Sequence, residues 1–279
     1  MATKVWFITG TSKGFGRVWA EAALARGDQV AATARNVKTL APLVERYADQ
    51  VAALALDVTD KSAVENAVAA AHSRFGRLDV VINNAGYGLF GTIEEVSEAE
   101  ARAQIETNLF GALWVTQAAL PIMRAQGSGH IIQISSIGGI NAFPTVGLYH
   151  ASKWGLEGFS QSLAAEVKGF GIKVTIVEPG PFRTDFLDDS SLGRTKTVIP
   201  DYSATAGAAR EWADNSHNAQ PGDPAKAAAA MVKITEVERP PLRLQLGRDC
   251  VAAIEAKLQH VKQELQQWRQ LAESTAFTE

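Results

Sequence analysis

Short apolar runs alternate with helix-forming stretches from residue 5 to about residue 177, and this pattern limits the folds that the chain can adopt. The first run, 5–8, is wholly apolar, as expected of a strand buried on both faces of a parallel sheet. The predicted strands of this region are 5–8, 29–33, 51–56, 78–82, 131–135 and 173–177. Because helical stretches separate them, the alternation predicts an α/β fold, a doubly wound parallel sheet between two layers of helices.

Composition allows one large core and excludes several kinds of site. The chain has 279 residues, of which 46% are apolar, so a single domain is expected. The single cysteine, Cys250, excludes an internal disulfide and a cysteine-built metal site, and the five histidines lack metal-ligand spacing. The net charge of −3 gives no reason to expect nucleic acid, and no apolar run is long enough for a membrane helix. A cytoplasmic protein with no metal is therefore expected.

The first strand leads into a glycine-rich turn that precedes the first helix. Glycines there let the backbone approach a pyrophosphate, and the helix N-terminus supplies N–H groups and a positive dipole. The spacing is G-x-x-x-G-x-G rather than the usual G-x-G-x-x-G, and a merely tight turn is the alternative. Its position predicts a dinucleotide site built from Gly10, Thr11, Ser12, Lys13, Gly14, Phe15 and Gly16.

The end of the second strand indicates which dinucleotide binds. In NAD sites of this layout, an acidic residue about 20 positions after the glycines binds the adenosine ribose. Here that region holds Thr33, Ala34 and Arg35, with no carboxylate. Arg35 could meet a 2′-phosphate with two parallel hydrogen bonds, and Lys13 adds a second positive charge. NADP is therefore predicted, the alternative being two solvated surface cations.

Two further stretches follow strands at the same predicted edge of the sheet. Asp57, next to Val58, could accept a hydrogen bond from the adenine amino group. The small residues Ala85 and Gly86, after Asn84, would let the cofactor pass.

A tyrosine and a lysine suggest chemistry on a carbonyl group. Tyr149 and Lys153 are four residues apart, so a helix places them on one face. A phenol ordinarily has a pKa near ~10, and a fixed ammonium beside it is expected to lower that pKa toward neutrality. Ser136, at the end of the fifth strand, would lie at the same sheet edge. Such a pair also arises by chance, so the other motifs decide its meaning.

Together, these motifs resemble those of short-chain dehydrogenases/reductases of about 250 residues. The matching residues occur in the family's order over about residues 4–186. They are the turn at 9–16, Asp57, the stretch 83–86, Asn108, Ser136, Tyr149 with Lys153, and Pro179, Gly180 and Thr184. Residues 178–186 resemble a branch close to 17β-hydroxysteroid and retinol dehydrogenases.

The resemblance implies a Rossmann-type fold and a catalytic set of Asn108, Ser136, Tyr149 and Lys153. Tyr149 would protonate a carbonyl oxygen that receives hydride at its carbon, and Ser136 would donate a hydrogen bond to that oxygen. Lys153 would hold the nicotinamide ribose and keep Tyr149 acidic, while Asn108 would fix a water that resupplies the proton. The nicotinamide end would be bound by Pro179, Gly180, Phe182 and Thr184.

The remaining chain is expected to cover and complete the site. Residues 1–184 form the predicted cofactor and catalytic core, 185–222 a substrate lid without clear elements, and 223–279 a helix–strand–helix. Apolar walls are expected from 87–90, 140–148 and 186–219, with Phe143 beside Ser136 and Tyr149 as substrate contacts. Inward contacts of the lid would be Leu187, Leu192, Ile199, Tyr202 and Trp212. The apolar stripe of the last helix is expected to pack on the sheet or on a partner subunit.

These observations predict an NADP(H)-dependent oxidoreductase that interconverts a carbonyl and an alcohol on a small, apolar substrate. The alternatives are a 3-oxoacyl thioester reductase, with Arg183, Arg194 and Lys196 as candidate cations at the mouth of the site, and a non-catalytic NADP-binding regulator. The expected partners are the substrate and further copies of the chain, in a homodimer or homotetramer, without nucleic acid or membrane.

Overall fold

The apolar runs form a seven-stranded parallel sheet in the computed structural model, which describes residues 3–188, 191–216 and 218–277. The strands are β1 (Val5–Ile8), β2 (Gln29–Ala34), β3 (Val51–Ala55), β4 (Val80–Asn83), β5 (Gly88–Phe90), β6 (Gly129–Ile134), β7 (Ile172–Pro179), β8 (Leu192–Arg194) and β9 (Arg243–Leu246). The order in the main sheet is β3-β2-β1-β4-β6-β7-β9, with every neighbouring pair parallel. The predicted α/β fold is confirmed.

Helices cover both faces of this sheet. They are α1 (Gly14–Ala25), α2 (Ala41–Tyr47), α3 (Lys61–Phe75), α4 (Glu98–Ile105), α5 (Gly111–Gln126), α6 (Gly147–Glu166), α7 (Ser203–Asn215), α8 (Pro224–Glu236) and α9 (Arg248–Glu273). Side chains of β1 alternate between the two cores: Trp6 and Ile8 pack with α1 and α8, whereas Val5 and Phe7 pack with α3 and α5. A wholly apolar strand is therefore stabilised on both sides, by about 1.5–3 kcal/mol per large side chain.

The order in which successive strands are added to the sheet reverses beside β1, and this fixes the position of the site. From β1 the chain proceeds to β2 and β3 on one side, and later elements build outward from β4 on the other. Trp6 pairs with Val30 of β2 and with Val80 of β4. In doubly wound sheets, ligands bind at the carboxyl ends of the strands at such a switch point.

The helix predicted over 101–125 is longer and is interrupted. It begins at a capping box, in which Ser97 accepts a hydrogen bond from the Glu100 amide and the Glu100 carboxylate accepts from the Ser97 amide. Between α4 and α5 the chain forms a π-helical turn, Glu106–Phe110. Such turns are rare and occur frequently at functional sites.

The prediction that 185–222 lacks clear elements is wrong. The segment contains β8, which pairs in parallel with β5, and the helix α7. Its small residues, such as Ala204, Ala206 and Gly207, carry too little hydrophobic periodicity to reveal a helix from sequence. Asp189, Ser190 and His217 of the predicted lid lie outside the described residues.

The last helix, α9, packs on the body only at its beginning. Cys250 and Ile254 are buried, whereas the apolar side chains from Leu258 onward are exposed. The expectation of packing on the sheet therefore holds for about two turns.

None of the helices in the described part of the chain combines the length and the apolar character that spanning a membrane requires.

Candidate active site

A cleft of about 1040 Å³ opens along the carboxyl ends of the parallel strands. The predicted site residues that line it are Gly10, Ser12, Lys13, Gly14, Phe15, Arg35, Asp57, Val58, Asn84, Ala85, Gly86, Ser136, Phe143, Tyr149, Lys153, Pro179, Gly180, Phe182 and Thr184. Thr11, Gly16 and Asn108 do not line it, although Gly16 and Asn108 contact residues that do.

The glycines of the first turn serve different purposes. Gly10 and Gly14 have φ values of +69° and +57°, which side chains rarely adopt. A Cβ on Gly16 would lie 2.2 Å from the Gly10 carbonyl oxygen, so this glycine lets α1 pack against the turn. Thr11 is buried, and its hydroxyl donates to the Thr33 carbonyl on β2 at 3.1 Å. Gly16 and Thr11 therefore support the conformation of the turn without lining the cleft.

Asn84 locks this turn to the end of β4. Its side-chain amide donates to the carbonyls of Thr9 and Gly10 at 2.8 and 3.0 Å. In return, the Thr9 hydroxyl oxygen accepts from the amides of Asn84 and Ala85, both at 2.9 Å. Thr9 belongs to the matched turn at 9–16, but its bonds to residues about 75 positions away cannot be predicted from the sequence.

The exposed part of the turn fits a phosphate group. Nothing lies within 4 Å of the position where a Cβ on Gly14 would be, and Gly14 is the first residue of α1. Its amide already attracts an anion, since it donates to a carboxylate oxygen of Asp185 at 3.2 Å. Helix N-termini bind anions in this way. Phe15 and Phe182 form an apolar wall beside the turn, with ring centroids 5.2 Å apart.

The residues predicted to bind the adenosine half of the dinucleotide also line the cleft. Arg35 is exposed directly after β2, and both Arg35 and Lys13 line the cleft. One carboxylate oxygen of Asp57 accepts hydrogen bonds from the amide and the hydroxyl of Thr59, at 3.0 and 2.8 Å.

The structure brings together three of the four predicted catalytic side chains. Tyr149 and Lys153 lie one turn apart on α6, and Ser136 follows β6 and hydrogen-bonds to Tyr149. The Lys153 ammonium donates to the Ile134 carbonyl at 2.8 Å and lies 5.6 Å from the centre of the Tyr149 ring. The Ser136 oxygen also accepts from the Gly138 amide at 3.0 Å, which fixes its orientation.

The pKa of Tyr149 differs from the expectation. Burial raises the pKa of this phenol to about 12, and the hydrogen bond with Ser136 opposes that rise only in part. Burial lowers the pKa of Lys153 to about 8, against the charge of Glu157. The ammonium is directed at a backbone carbonyl, so it does not outweigh the burial of Tyr149. At neutral pH the site therefore holds a protonated phenol and a charged lysine.

Asn108 lies behind the cleft, in the π-helical turn. It is buried, its carbonyl oxygen accepts from the Tyr87 amide at 3.0 Å, and its amide donates to the Tyr87 carbonyl at 2.9 Å. The same amide donates to the hydroxyl of Ser152 on α6 at 3.2 Å. Asn108 therefore connects the Gly86–Tyr87 backbone to the helix that carries Tyr149.

His150 braces the loop that follows Ser136. One ring nitrogen contacts the Gly138 carbonyl at 2.9 Å, and the other accepts from the Phe143 amide at 2.8 Å. Burial lowers the pKa of this imidazole, which keeps it neutral. The sequence shows His150 next to Tyr149 but not the two loop groups that it joins.

The walls around Tyr149 are largely apolar. The Phe186 ring lies 5.7 Å from the Tyr149 ring, and the wall is completed by Tyr87, Phe90, Phe143, Val146, Leu187, Leu192 and Trp212. Two predicted inward contacts do not reach the cleft. The Tyr202 hydroxyl donates to Glu94 at 2.6 Å, and the amide of Ile199 donates to Glu95 at 2.8 Å.

Comparison with known proteins is consistent with this arrangement. The family model of the short-chain dehydrogenases matches residues 4–194. The chain belongs to the short-chain dehydrogenase/reductase family. It is 43% identical over 275 residues to an oxidoreductase of Botryotinia fuckeliana, BOA17, covering 98% of this chain and all of that one.

Solved structures of short-chain dehydrogenases share the whole architecture. A short-chain dehydrogenase from Streptomyces avermitilis is 43% identical, with a TM-score of 0.93 over 99% of this chain and all of that chain. An alcohol dehydrogenase from Thermococcus sibiricus, complexed with 5-hydroxy-NADP, is 27% identical, with a TM-score of 0.69 over 88% of this chain and 96% of that chain. Other structures with this fold hold NAD or NADP. The chain is thus an oxidoreductase of a family that uses nicotinamide dinucleotides.

Proposed function

We propose that this chain is an NADP(H)-dependent oxidoreductase that interconverts a carbonyl and an alcohol on a small apolar substrate. The observation that carries the proposal is the arrangement of Ser136, Tyr149 and Lys153 at one end of a dinucleotide-sized cleft. A non-catalytic regulator would not need this set, so the set favours an enzyme.

NADPH, when bound, supplies the hydride that reaches the carbonyl carbon. Tyr149, protonated at neutral pH, gives its proton to the carbonyl oxygen, and Ser136 donates a hydrogen bond to the same oxygen. Lys153 holds a positive charge next to the phenol and, from the family resemblance, binds the nicotinamide ribose. Burial of these groups strengthens the electrostatic interactions between them.

Preference for NADP over NAD follows from the adenosine end. Arg35 is exposed after β2 and carries a guanidinium suited to a phosphate, and no acidic side chain stands at positions 33–35. Asp57 lines the cleft nearby and can still meet the adenine amino group.

The substrate end favours an apolar carbonyl compound. Aromatic and aliphatic side chains form most of the wall near Tyr149, and a sugar would need many polar partners there. The cations that would suit an acyl-carrier substrate, Arg183, Arg194 and Lys196, do not line the cleft. The thioester reductase is therefore the weaker candidate.

The decisive experiment follows NADPH absorbance with a panel of aliphatic and aromatic ketones, aldehydes, sugars and a carrier-linked 3-oxoacyl thioester. We expect turnover with apolar ketones or aldehydes, faster with NADPH than with NADH. Turnover confined to sugars or to the thioester would contradict the proposed substrate. Binding of NADPH without turnover of any compound in the panel would favour the regulator.

A further inference from the structure

The helix α9 carries a regular apolar stripe that continues beyond the body of the protein. Spacings of three and four residues alternate strictly along Val251, Ile254, Leu258, Val261, Leu265 and Trp268. This repeat of 3.5 residues is the pattern of a coiled coil. Ile254 is buried on the body, but the other five side chains are between 43% and 60% exposed. Large apolar groups in a continuous row of this kind mark an interaction surface.

We propose that α9 pairs with α9 of a second copy of this chain as an antiparallel coiled coil. The pairing is centred between Gln259 and His260, just beyond the point where the helix leaves the body. Leu258 then meets the partner's Val261, and Val251 meets the partner's Trp268, while Ile254 stays packed on its own body beside the partner's Leu265. At 1.5 Å per residue, the 26-residue helix is about 39 Å long, enough for these layers.

The charges that flank the stripe select this orientation and register. In the centred antiparallel pair, Glu255 lies opposite the partner's Lys262, and Lys257 lies opposite the partner's Glu264. The twofold axis repeats both contacts, so four flanking pairs have opposite charge. Flanking pairs of this type set partner choice and orientation in coiled coils.

The neighbouring arrangements bring like charges together. A parallel pair places Lys257 opposite the partner's Lys262, which offsets the favourable pair of Glu264 with the partner's Arg269. In an antiparallel pair shifted by one heptad in one direction, Lys262 faces the partner's Lys262 and Glu264 faces the partner's Glu264. A shift in the other direction places Glu255 opposite the partner's Glu255 and Lys257 opposite the partner's Lys257. The unfavourable contact in the centred register is Arg248 with the partner's Arg269, at the outer ends. There Arg269 already pairs with Glu273 at 2.9 Å.

The first turns of α9 themselves offer a place for the partner helix. A shallow depression of about 560 Å³ lies beside the first turns of α9, lined by Gly247, Arg248, Val251, Ala252 and Glu255. The register brings the partner's Trp268 to Val251, at this depression. An aromatic side chain placed there would be removed from water, as expected of an interface anchor.

A membrane surface is a poorer occupant for the stripe. Helices that lie on anionic membranes carry an excess of Lys and Arg on the polar face. The helix α9 has four basic residues (Arg248, Lys257, Lys262 and Arg269) and four acidic ones (Asp249, Glu255, Glu264 and Glu273). This balance matches the cross-helix pairs and offers an anionic membrane no net attraction.

The test measures the molecular mass of the full-length protein in solution by sedimentation equilibrium. We expect a dimer for the wild type and a weaker dimer for Leu265→Glu, with the dissociation constant raised at least tenfold. Because Leu265 is exposed in the single chain, NADPH binding and circular dichroism should not change. A monomeric wild type, or a dimer that Leu265→Glu leaves intact, would overturn the proposal.

Charge reversal tests the register. Lys257→Glu should weaken the dimer, because it sets two glutamates opposite each other, and adding Glu264→Lys should restore it. Gln263→Glu, on the outward face, is the control and should leave the dimer unchanged. Failure of the double variant to recover would contradict the antiparallel register.

Cysteine cross-linking distinguishes the orientations. Mixing Leu258→Cys protein with Val261→Cys protein should give a cross-linked heterodimer, whereas a parallel pair would cross-link Leu258→Cys protein with itself. The native Cys250 is buried and should not contribute. Sedimentation of the wild type with phosphatidylserine vesicles, without dimer formation, would show that a membrane covers the stripe instead.

Discussion

The amide of Gly14 donates a hydrogen bond to Asp185, with a nitrogen–oxygen distance of 3.2 Å. Gly14 opens α1, and Asp185 lies on the segment that follows β7, on the opposite wall of the cleft. A carboxylate thus occupies the N-terminus of the helix that should attract the pyrophosphate of a dinucleotide. The two anions would compete for the same N–H group, so we expect Asp185 to move aside when a dinucleotide binds.

Asp185→Asn should therefore bind NADPH more tightly than the wild type. The substitution removes a negative charge from the helix N-terminus, where such a charge contributes about 0.3–1 kcal/mol, or about two- to fivefold in affinity. Fluorescence titration with NADPH measures the change. Asp201→Asn, exposed on the same segment but outside the cleft, is the matched control. Weaker binding by Asp185→Asn would show that Asp185 assists the cofactor instead.

Arg35→Asp should shift the cofactor preference from NADP toward NAD. The change removes a charge-assisted phosphate contact, worth about 1.5–3 kcal/mol, and adds a repulsive carboxylate. We expect NADPH affinity to fall about 10- to 100-fold, while NADH affinity stays the same or rises. Arg124→Asp, exposed on α5 far from the cleft, should change neither. Equal binding of NADH and NADPH by the wild type would refute the assignment of Arg35.

Tyr149→Phe should abolish turnover and leave NADPH binding nearly unchanged, because it removes only the proton donor. A general acid typically contributes about 10²–10⁴-fold. Lys153→Met should lower both turnover and NADPH affinity, since the ammonium serves both. Tyr202→Phe, which loses a hydroxyl outside the cleft, provides the matched control. Substantial turnover by Tyr149→Phe at pH 7 would contradict the mechanism.

The buried His130 should make the fold sensitive to acid. Burial lowers the pKa of this imidazole to about 3, below its value in the unfolded chain, so the unfolded chain binds the proton more readily. The neutral, buried imidazole therefore does not reduce the free energy of unfolding above about pH 6.5, and it reduces that free energy increasingly as the pH falls toward 3. Between pH 7 and pH 5 the loss amounts to about 2 kcal/mol.

Urea unfolding at pH 7 and pH 5 tests this contribution. His130→Gln keeps a polar nitrogen near Thr175, which the imidazole contacts at 2.9 Å. The free energy of unfolding of the variant should fall less over this interval than that of the wild type. An equal decrease in the free energy of unfolding of the two proteins between pH 7 and pH 5 would show that His130 does not cause the acid sensitivity.

Residues 186–219 should be protected from hydrogen exchange when NADPH and an apolar ketone bind. The helix α7 is held to the body by the buried Glu95, whose carboxylate accepts from Arg210 at 2.5 and 2.6 Å. Burial raises the pKa of Glu95, but the hydrogen bonds from Arg210, Ile199 and Thr92 outweigh it and bring the pKa to about 2.

Arg210→Met should increase exchange in 203–215 and raise KM, while NADPH affinity stays constant, because Arg210 does not line the cleft. Arg102→Met is the control, since its ion pair with Glu98 is fully on the surface. Equal exchange in the wild type with and without ligands would show a fixed segment, and the lid interpretation would fail.

Local patterns allowed most of the fold, and the placement of the candidate catalytic side chains, to be predicted. The apolar runs predicted the strands of the main sheet, and the spacing of Tyr149 and Lys153 on a helix placed both on one face. Contacts between distant segments could not be predicted in this way. The bonds of Asn84 to Thr9, of His150 to Phe143 and of Glu95 to Arg210 depend on how elements meet after folding.

The shift of the Tyr149 pKa illustrates the same limit. A neighbouring lysine is visible in the sequence, but the burial that raises the pKa and the carbonyl that receives the ammonium are not. The helix α7 was missed because its alanines and glycine give no clear stripe, and tertiary contacts stabilise it instead.

The parallel pairing of β8 with β5 separates a part of the cleft wall that main-chain hydrogen bonds hold in place from the helix α7, whose side chains can vary. Main-chain hydrogen bonds fix β8 beside the wall of the cleft, with Gly88 opposite Leu192, whatever side chains the following residues carry. The helix α7 lies beyond this anchor and contacts the substrate end but not the glycine turn. We therefore expect mutations in α7 to alter which substrates are accepted without weakening cofactor binding. Evolution, or directed evolution in the laboratory, can diversify this helix on an unchanged catalytic core.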